Sequence, residues 1–524
     1  MRPGPLARLS RAFAILLLAA GSLVTTSNAA AAPVVLLVGS YHGSAGQYTS
    51  IQSAVDAAHP GDWILVGPGD YHENGSLDPL HPAGVLITTP GIHLRGMDRN
   101  GVVVDGTLPG GAQPCSADPA MQVTGRDGIL VWKASGTYVE NLTACNFLTA
   151  PGGGHGNQIW WNGGDGSGQI GMGSYWGNYL TATSTYSNGV YNPRGEYGLF
   201  VSNAGGPGSI NYSYASNMGD AAIYVGACPN CNAVLDHDRG TLSALGYSGT
   251  NSGGNLIIEN TEFDHNLSGL VSNAQNNDDQ PSPQIGLCPA GSKPAVAGAV
   301  GCTIFMRNSV HDNNNPNVPG AGASGLAGSA PVGSGIVLAG TQYVTLYQNR
   351  VFDNGSWGIL VADLPDQESA PAGFPECTGG VWAPPPAGVC YYFAFGNYTW
   401  ANRLWNNGFF GNPTNGDLAL ATQPHNPGNC FHANTDPARP GGTPTMDPPN
   451  LQSGAPYYPC GQANGGDFNV LAAEALCATQ LLAPCPNLPG FGYPRTTGVT
   501  LSMPPAQPTM SNPCAGVPRN PWCP

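Results

Sequence analysis

The 524-residue sequence has little charge and almost no lysine. Charged residues make up 9% of the chain, and Lys133 and Lys293 are its only lysines. Its 31 acidic residues outnumber the 16 basic ones, for a formal net charge of −15. Because a nucleic-acid-binding protein needs a basic surface to neutralise phosphates, this balance excludes DNA and RNA as partners. It also predicts repulsion of a polyanionic polysaccharide unless a divalent cation bridges the two.

Long apolar runs are also lacking, apart from one at the N-terminus. There, three arginines precede a short apolar core at Phe13–Ala20, and small residues follow it. This pattern predicts a secretory signal peptide over residues 1–31, with an apolar core too short to span a bilayer. Its removal takes away three arginines and no acid, which changes the formal charge from −15 to −18. We therefore expect a secreted, extracellular protein with no membrane span.

Two common catalytic motifs are incomplete. The segment GYSGTNSGG, from Gly246 to Gly254, has no lysine and lacks the spacing of a phosphate-binding P-loop. Ser248 within it lacks the G-x-S-x-G pattern of a nucleophile elbow. We exclude a P-loop nucleotide site and a serine hydrolase of this kind.

Cysteine is present in an even number, and all 14 residues lie beyond the signal segment. In an exported chain this number predicts up to seven disulfides. Nearest-neighbour pairing is the simplest prediction, although other pairings remain open: Cys115–Cys145, Cys228–Cys231, Cys288–Cys302, Cys377–Cys390, Cys430–Cys460, Cys477–Cys485 and Cys514–Cys523. Cys228-Pro-Asn-Cys231 also has the spacing of half a zinc site, but no second ligand pair stands nearby.

A repeated unit organises the middle of the chain. The heptads are NTEFDHN at Asn260, NSVHDNN at Asn308, NRVFDNG at Asn349 and NRLWNNG at Asn402. Each follows a short β-prone run, and two lead into a second one, GLVSN and GILVAD. A short strand, a polar corner and another short strand predict one coil of a parallel β-helix, in which each coil covers the apolar face of its neighbour.

The spacing of the repeats indicates the length of a coil. With Tyr212 and His237 placed at the first position of the repeat, the steps to Asn260 are 25 and 23 residues. Later steps of 48, 41 and 53 residues then contain inserted loops. We expect the Gly- and Trp-rich passage from Pro151 to Gly177 to be a loop or an irregular coil, because it shows no clear periodicity.

The segment IQSAVDAAHPGDWILVGPGDYHE, from Ile51 to Glu73, resembles the opening of right-handed parallel β-helix proteins of the pectin-lyase-like kind. A second passage, which begins NMGDAAIYVGACPNCNAVLDHD at Asn217, resembles exported bacterial β-helix proteins. The likeness covers most of the chain after the signal and implies an all-β, right-handed, single-stranded parallel β-helix. That superfamily contains lyases, hydrolases, epimerases and adhesins. No complete catalytic motif of pectate lyases or polygalacturonases is present.

The domain organisation follows from these patterns. Thr49 and Gln52 form a possible capping box that opens a helix to Ala58, which we expect to cover the first coil. We expect the β-helix, with loop insertions, over residues 32–427. The Cys- and Pro-rich segment 428–524 is predicted to be a disulfide-stapled cap and wrap over the last coils, and the alternative is a small binding domain.

The repeated asparagines predict a ladder of stacked corners, because Asn bonds to neighbouring backbone and tolerates positive φ. The aspartates at the fifth place of three heptads, Asp264, Asp312 and Asp353, are predicted to be corner residues. Since carboxylates on adjacent coils repel each other, a calcium ion that bridges two of them is the alternative.

A dense group of polar residues lies between Asp220 and Asp279. Two carboxylates at separate depths of a groove suit inverting glycoside hydrolysis, whereas β-elimination from a uronate needs a base near the C5 proton. Asp220 itself fits a turn, and the run Asn276–Asp279 is either a solvated loop or a cation or substrate site. The predicted catalytic residues are Asp236, Asp238, Arg239, Asp278 and Asp279, and the predicted calcium ligands are Asp264, Asp278 and Asp279.

Three functional classes remain. The first is an enzyme acting on extracellular polysaccharide, as a hydrolase, lyase or epimerase. The second is a non-catalytic glycan-binding module whose exposed rings would be Trp160, Trp161, Tyr175 and Trp176. The third is a structural or adhesive solenoid. Convergence of the acids and Arg239 in one cleft would favour the first class, and a band of exposed rings the second. We expect a monomer with a cell-wall glycan or other polysaccharide as its partner.

Overall fold

The computed structural model describes residues 32–275, 284–323, 325, 327–366, 377–383, 388–422, 428–449, 451–452, 468–479 and 492–524. From Val34 onward the chain forms one compact unit. In these residues no helix is long and apolar enough to cross a membrane.

Three long parallel sheets, A, B and C, contain most of the described strands. Sheet A has twelve strands, in chain order Val35–Val38, Trp63–Val66, His93–Gly96, Thr137–Glu140, Tyr175–Asn178, Gly208–Asn211, Ala233–Asp236, Leu256–Glu259, Thr303–Met306, Val344–Tyr347, Tyr398–Trp400 and Cys430–His432. Sheet B has ten: Gly69–Tyr71, Val102–Asp105, Thr143–Cys145, Thr181–Thr183, Tyr214–Ser216, Arg239–Thr241, Glu262–Asp264, Ser309–His311, Arg350–Phe352 and Arg403–Trp405. Sheet C has eleven: Ala83–Ile87, Asp127–Trp132, Ile159–Asn162, Leu199–Ser202, Ala221–Gly226, Leu245–Thr250, Ser268–Asn273, Ser334–Ala339, Trp357–Ala362, Gly416–Ala421 and Met446–Asp447.

Ten successive coils, from Trp63 to Ala421, contribute one strand to each sheet in the order A, B, C, and each of these strands pairs in parallel with its neighbours in the sheet. The chain is therefore a single-stranded parallel β-helix, as the sequence predicted. Two small antiparallel pieces lie outside it, one formed by Ser40–Tyr41 with Ser44–Ala45 and one by Leu364–Asp366, Val381–Ala383 and Val389–Tyr392. Short 3-10 helices occupy Pro119–Met121 and Pro440–Gly442.

The core is the stack of inward-facing side chains. Sheet A strands alternate buried and half-buried positions, so one face packs inside and the other faces outward. Sheet C strands are buried on both faces along much of their length. The reason is that part of the B–C loops and the helix Phe468–Ala478 contribute to the cluster on the outer face of sheet C. The outer face of sheet C is therefore largely covered, and the cleft described below lies at a gap in this cover.

The corner between sheets A and B has two residues, the first with positive φ. Asn260 has φ 51° and Arg307 has φ 56°. The second residue is buried and bonds along the stack: Asn308 Oδ1 accepts from Thr261 N at 3.0 Å, and Asn349 Oδ1 accepts from Asn308 N at 3.0 Å. The ladder continues through Asn402 to Asn434. The predicted asparagine ladder is thus present at Asn308, Asn349 and Asn402.

The predicted register is wrong by one residue at the first heptad. Because Glu259 pairs with Met306 and Glu262 with Ser309, it is Thr261, and not Asn260, that shares a row with Asn308. Asp264 consequently shares its row with His311 and does not stack on Asp312. An alignment that is shifted by one residue still matches polar residues with polar residues in these Asn- and Asp-rich heptads. The shift nevertheless assigns every side chain to the wrong row.

A second asparagine ladder, which the heptad alignment missed, lies at the B–C corner. Asn313 Oδ1 accepts from Asn266 N, Asn354 Oδ1 from Asn313 N, and Asn407 Oδ1 from Asn354 N, each at 3.2 Å. All but Asn407 are fully buried. In corrected register, the two ladders bracket sheet B from Asn308 onward.

Three local predictions also differ from the structure. The first helix spans Ile51–Ala57, and its N-cap is Ser50 rather than Thr49, because the side chain of Ser50 accepts from Ser53 N. The Gly- and Trp-rich passage contains regular strands at Ile159–Asn162 and Tyr175–Asn178. Strands also continue past residue 427, at Cys430–His432 and Met446–Asp447.

Five of the predicted disulfides are present: Cys115–Cys145, Cys228–Cys231, Cys288–Cys302, Cys377–Cys390 and Cys514–Cys523. The bridge within Cys228-Pro-Asn-Cys231 removes the zinc alternative. Cys460 and Cys485, the predicted partners of Cys430 and Cys477, lie outside the described residues.

The C-terminal segment 492–524, called the tail below, returns to the first coils. Asn217 Nδ2 donates to Ser502 O, Arg99 donates to Pro508 O, and Trp522 Nε1 donates to Ser44 O. The tail therefore crosses sheet B from the B–C corner at Asn217 towards the A–B corner, and covers early coils as well as late ones.

Candidate functional site

A cleft of about 310 Å³ lies on the outer face of sheet C, and we call it the sheet C cleft. Its floor is apolar and includes Leu245, Val271 and Val337. One wall comes from the B–C loop at Ala327–Pro331. The polar residues that line it are Arg194, Glu196, Tyr197, Asp220, Ser248, Thr250, Asn273 and Gln275.

The wall is held close to the β-helix by two facing glycines. Gly320 has φ 80°, and a Cβ at this position would lie 1.8 Å from the carbonyl oxygen of Gly219. A side chain on Gly320 would therefore force the loop away from the coil that carries Asp220. Gly320 fixes one edge of the cleft.

The two acids of the cleft come from adjacent coils. Glu196 and Tyr197 precede the strand Leu199–Ser202, and Asp220 precedes the next strand of the sheet, Ala221–Gly226. Asp220 N donates to Glu196 O at 3.0 Å, so the two corners are in register. Because neighbouring strands lie about 4.8 Å apart, the β-helix places the backbones of the two acids next to each other on the same row.

Each acid has a specific partner. Arg194 donates two hydrogen bonds to Glu196, from Nε to Oε2 at 2.9 Å and from Nη2 to Oε1 at 3.1 Å. Burial raises the pKa of Glu196 overall, although Arg194 acts to lower it. Tyr197 Oη donates to Asp220 Oδ2 at 2.9 Å. The cleft thus contains a carboxyl group that tends to keep its proton and a second carboxyl group bonded to a phenol.

Stacked aromatic rings extend from the acids along sheet C. The rings of Tyr197 and Phe200 stack with centroids 4.2 Å apart, and those of Trp160 and Phe200 with centroids 4.8 Å apart. Tyr224 packs edge-on against Phe200 at 4.8 Å. Trp160 is half-buried and bonds to Ser202 Oγ through Nε1. We call Trp160, Tyr197, Phe200 and Tyr224 the aromatic platform; Trp160 and Tyr197 are its half-buried members, and Phe200 and Tyr224 are buried beneath them.

Of the four rings predicted as glycan platforms, only Trp160 lies on this face. Trp161 and Tyr175 are fully buried in the core, so the prediction is wrong for them. Large rings are accommodated there because small residues face them: a Cβ on Gly177 would lie 2.9 Å from Trp161, and one on Gly208 would lie 2.2 Å from Tyr175. Trp176 faces outward on sheet A, stacked on Tyr138 at 4.2 Å.

Asp236, Asp238 and Arg239, which we predicted to be catalytic, do not converge in one cleft. Asp236 ends a sheet A strand and bonds to His237 Nδ1 and to Asn260 Nδ2, each at 2.8 Å. Asp238 is buried at the A–B corner, where Oδ1 accepts from Ser213 N at 2.7 Å. The geometry disfavours a catalytic role for Asp238, because a buried corner residue has no access to a substrate. Asp278 and Asp279 lie outside the described residues.

Arg239 and Asp264 form a bidentate ion pair on sheet B, with Nε to Oδ1 at 2.8 Å and Nη2 to Oδ2 at 2.7 Å. His265 bonds to Asp264 as well. Burial alone would raise the pKa of Asp264, but these hydrogen bonds lower it to about 2. Because N–H donors occupy both oxygens, Asp264 does not fit the predicted calcium site.

Elsewhere in the described residues, one group that includes a histidine has the geometry of metal ligands. Atoms of Asp70, His72 and Asp105 all lie within 4.8 Å of one another. An imidazole with two carboxylates suits a transition metal better than calcium, which prefers oxygen ligands. A second group contains Asp105 with Cys115 and Cys145, whose sulfurs are joined in a disulfide.

The sequence contained a signal for the sheet C cleft that the heptads did not reveal. Glu196 and Asp220 are 24 residues apart, which is one coil, and each stands just before a β-prone run, LFVS or AAIYV. Acids at the same place in successive coils must become neighbours. Asp220 stands at the edge of the dense polar group and fits a turn, whereas Glu196 lies outside that group.

No protein-family model matches the chain, and no curated protein matches it. Among solved structures, the A-module of mannuronan C-5 epimerase AlgE4 from Azotobacter vinelandii is 15% identical with a TM-score of 0.45, over 79% of this chain and 93% of that one. Pectate lyase Pel9A is 12% identical with a TM-score of 0.38, over 82% and 77%. An alginate lyase from Paenibacillus sp. str. FPU-7 is 12% identical with a TM-score of 0.35, over 83% and 98%.

At these identities and TM-scores the likenesses carry no argument about activity. The assignment of the fold rests on the molecule's own strand pairing, coil after coil, in sheets A, B and C. By that pairing, the chain is a parallel β-helix protein.

Proposed function

We propose that this protein is an exported carbohydrate-active enzyme that holds a polysaccharide in the sheet C cleft and hydrolyses a glycosidic bond there. The observation that supports this most directly is the pair Glu196 and Asp220 on adjacent coils, next to the aromatic platform. Two carboxyl groups on either side of a scissile bond are the usual machinery of glycoside hydrolysis. Half-buried rings such as Trp160 offer apolar faces against which a sugar ring can pack.

The roles follow from the partners of each acid. Because burial raises the pKa of Glu196, this residue is suited to donate a proton to the leaving glycosidic oxygen once that oxygen replaces one of the two hydrogen bonds from Arg194. Asp220 is suited to accept a proton from the attacking water, while Tyr197 orients its carboxylate through the 2.9 Å bond. The water oxygen bonds to the anomeric carbon as the bond to the leaving oxygen breaks, so the proton given by Glu196 is balanced by the one that Asp220 takes.

β-Elimination and epimerisation of a uronate are the alternatives within the same class. Both need a cation to neutralise the sugar carboxylate. In the described part of the cleft, the guanidinium of Arg194 is committed to Glu196. This commitment favours hydrolysis. Asp278 and Asp279 remain candidates, since they follow Gln275, a residue of the cleft, by three and four positions.

A non-catalytic glycan-binding module is the second candidate function, and the aromatic platform is the observation that favours it. Stacked rings next to the Ser248 and Thr250 hydroxyls would bind a glycan without any chemistry. Export is supported for both candidates by the pattern of a signal segment over residues 1–31 and by the five disulfides, which form in oxidising compartments.

The test is a product screen of the mature protein on neutral and acidic polysaccharides, with calcium and with a chelator. New reducing ends indicate hydrolysis, and ultraviolet absorbance of an unsaturated uronate indicates elimination. We expect E196Q and D220N each to lower the rate by at least about 100-fold. Y197F should have a smaller effect, because it removes only the bond to Asp220.

The comparison variant is D236N, which removes a sheet A carboxylate chosen from the sequence. We expect D236N to keep the rate of the parent protein. The proposal is wrong if D236N abolishes turnover and E196Q does not. If no product forms on any substrate while W160A weakens polysaccharide binding, the protein is the non-catalytic module.

A further inference from the structure

The outer face of sheet B differs between its two halves. In the coils crossed by the tail, outward residues such as Thr181, Thr183 and Ser216 are buried. From the coil of Ser309 onward the face is open to solvent, and Arg350 and Arg403 are exposed. We call the residues Ser309, His311, Arg350, Phe352, Arg403 and Trp405 the open face of sheet B.

One row of the open face is a stack of flat rings. His311 and Phe352 stack with centroids 4.5 Å apart and planes 13° apart. Phe352 and Trp405 stack with centroids 4.3 Å apart and planes 6° apart. All three side chains are half-buried. The stack therefore presents a continuous apolar edge along the axis of the β-helix.

The other row contains two arginines on adjacent strands. Arg350 pairs in register with Arg403, so the two side chains leave the same face about 4.8 Å apart at the backbone. Like charges placed directly opposite each other destabilise a sheet. Neither guanidinium has an ion pair or hydrogen bond in the described portion of the structure. Such an arrangement is unfavourable for the protein alone and favourable once an anion lies between the two cations.

The other cationic groups around the open face are already paired. Arg307 pairs with Glu259, and Arg239 with Asp264. His311 bonds to Glu262 at 3.1 Å and to Asp312 at 2.9 Å. Although burial lowers the pKa of His311, these two carboxylates raise it overall. Among the described residues, the unpaired cations of this surface are therefore Arg350 and Arg403, and Asp353, which accepts from Asn406 Nδ2, is an acid without an ion pair at the end of the ring row.

A concavity of about 360 Å³ lies at one end of this surface. It forms where the small Ser309 stands between the longer Glu262 and Arg350 in the same row. Arg307, Arg350 and Phe352 line it. A single sugar unit placed there would meet the N–H donors of the two arginines, the edge of the Phe352 ring and the carboxylate of Glu262.

We propose that the open face of sheet B binds an acidic polysaccharide strand, separately from the sheet C cleft. Arg350 and Arg403 bind the anionic groups of successive sugars through paired N–H donors, which match the geometry of a carboxylate. The edges of the Phe352 and Trp405 rings contact the apolar faces of the sugar rings. The row of rings and the row of arginines both run along the axis, which suits a linear polymer. The proposal shares a ligand class with the proposed function and does not depend on catalysis in the cleft.

The test is affinity electrophoresis and calorimetry of the full mature chain with polygalacturonate, dextran sulfate and neutral dextran. We expect retardation by polygalacturonate that weakens with added salt, and no retardation by dextran. R350A/R403A should weaken the binding of polygalacturonate at least about tenfold, and F352A/W405A should weaken it by a similar factor. Binding of dextran sulfate but not polygalacturonate would assign the surface to sulfate groups instead of carboxylates and overturn the carboxylate geometry.

The matched control is R439A/R519A, which removes two other exposed arginines and so changes the net charge equally. We expect this variant to bind as the parent protein does. Equal losses in both double variants would show unspecific charge attraction and overturn the proposal, as would tighter binding of a single-stranded nucleic acid. E196Q, which disables only the cleft, should bind polygalacturonate normally, so failure of the proposed hydrolysis and failure of this site are separable.

Discussion

The first and last coils of the β-helix hold the same A–B corner by different means. From Asn308 to Asn434 the corner is a continuous asparagine ladder, capped by Gln452, whose Oε1 accepts from Asn434 N at 3.1 Å. In the preceding coils the same position is occupied by Ser213, Asp238 and Thr261. There the tail lies across sheet B, and the buried Arg99 joins it to the corners.

This difference shows what a repeat can and cannot supply. A ladder is a local device, because each asparagine satisfies the backbone of its neighbour and needs only another asparagine one coil away. Without it, the early coils depend on long-range contacts with the tail, such as the one between Arg99 and Pro508, which are 409 positions apart in sequence. The ladder also leaves sheet B open, whereas the tail covers it. The proposed glycan surface lies on the later coils, where the asparagine ladder stabilises the corners without the tail.

The largest expected effect is at Arg99, in the early coils. Its side chain is 1% exposed and donates to Thr181 Oγ1, Leu180 O, Tyr212 O and Pro508 O. Burial lowers the pKa of Arg99 to about 10. Replacement Arg99→Met keeps the apolar stem but leaves these acceptors without a donor. We expect the free energy of unfolding to fall by about 3 kcal/mol or more, measured by denaturant titration.

Release of the tail provides a second readout for the same variant. Limited proteolysis should cleave R99M within 492–524 sooner than the parent protein, because the arginine bonds directly to the tail. The matched control is K293M, which replaces an exposed lysine that has no ion pair among the described residues, and whose loss should leave both readouts unchanged. Equal stability of R99M and the parent would show that the tail is not held through this residue.

The next largest effect is expected in the ladder itself. Asn349 is fully buried; its Oδ1 accepts from Asn308, and its Nδ2 donates to Phe305 O and Asn402 Oδ1, each at 2.9 Å. Substitution N349A leaves these groups unsatisfied, and we expect a loss of about 2 to 3 kcal/mol in unfolding free energy. The control is N260G, at an exposed corner with φ 51°, where glycine is unstrained and the change should stay within about 0.5 kcal/mol. If both variants lose the same stability, the corrected register is wrong.

The fold could be predicted because it follows from the period of the sequence repeat. The register could not be predicted, because it depends on which face of the coil each residue occupies. The heptads predicted the coil and the ladder, and nearest-neighbour pairing of the cysteines predicted the five disulfides that are present. The heptads could not place Asn260 and Thr261 correctly, since both residues precede the same strand and only backbone pairing distinguishes them. The packing of the tail on sheet B could not be predicted from the sequence either. An extended, Pro-rich segment has no sequence pattern that indicates the surface on which it will pack.

The candidate site was predictable only in part, for a related reason. Spacing by one coil would have found Glu196 and Asp220, which are 24 residues apart. The local density of polar residues instead favoured Asp236, Asp238 and Arg239 as the predicted catalytic residues. These residues are consecutive or nearly so in sequence. Consecutive residues in a β-helix point in different directions around a corner, so crowding in sequence does not produce a cleft. Residues one coil apart converge.

The smallest expected effect, at Asp238, tests whether the early corner can be converted into the later kind. Asp238 occupies a ladder position: its Oδ1 accepts from Ser213 N, just as Asn308 Oδ1 accepts from Thr261 N. In the ladder, Asn308 Nδ2 also donates to Ile258 O at 2.9 Å. The register places Ile210 O at the corresponding point for residue 238. Asp238 Oδ2 is buried there without a hydrogen-bond partner, so a donor is missing.

Replacement D238N supplies this donor, and we expect it to raise the free energy of unfolding by about 1 kcal/mol at neutral pH. Burial raises the pKa of Asp238 well above its usual value, so the folded protein keeps a proton that the unfolded chain releases. The stability due to that proton is complete below the unfolded pKa and is lost as pH rises through the folded pKa. The advantage of D238N should therefore be small near pH 4 and grow towards neutral pH, as measured by denaturant titration across that range. A loss of polysaccharide turnover in D238N, with no gain in stability, would instead assign Asp238 the catalytic role that the sequence first suggested.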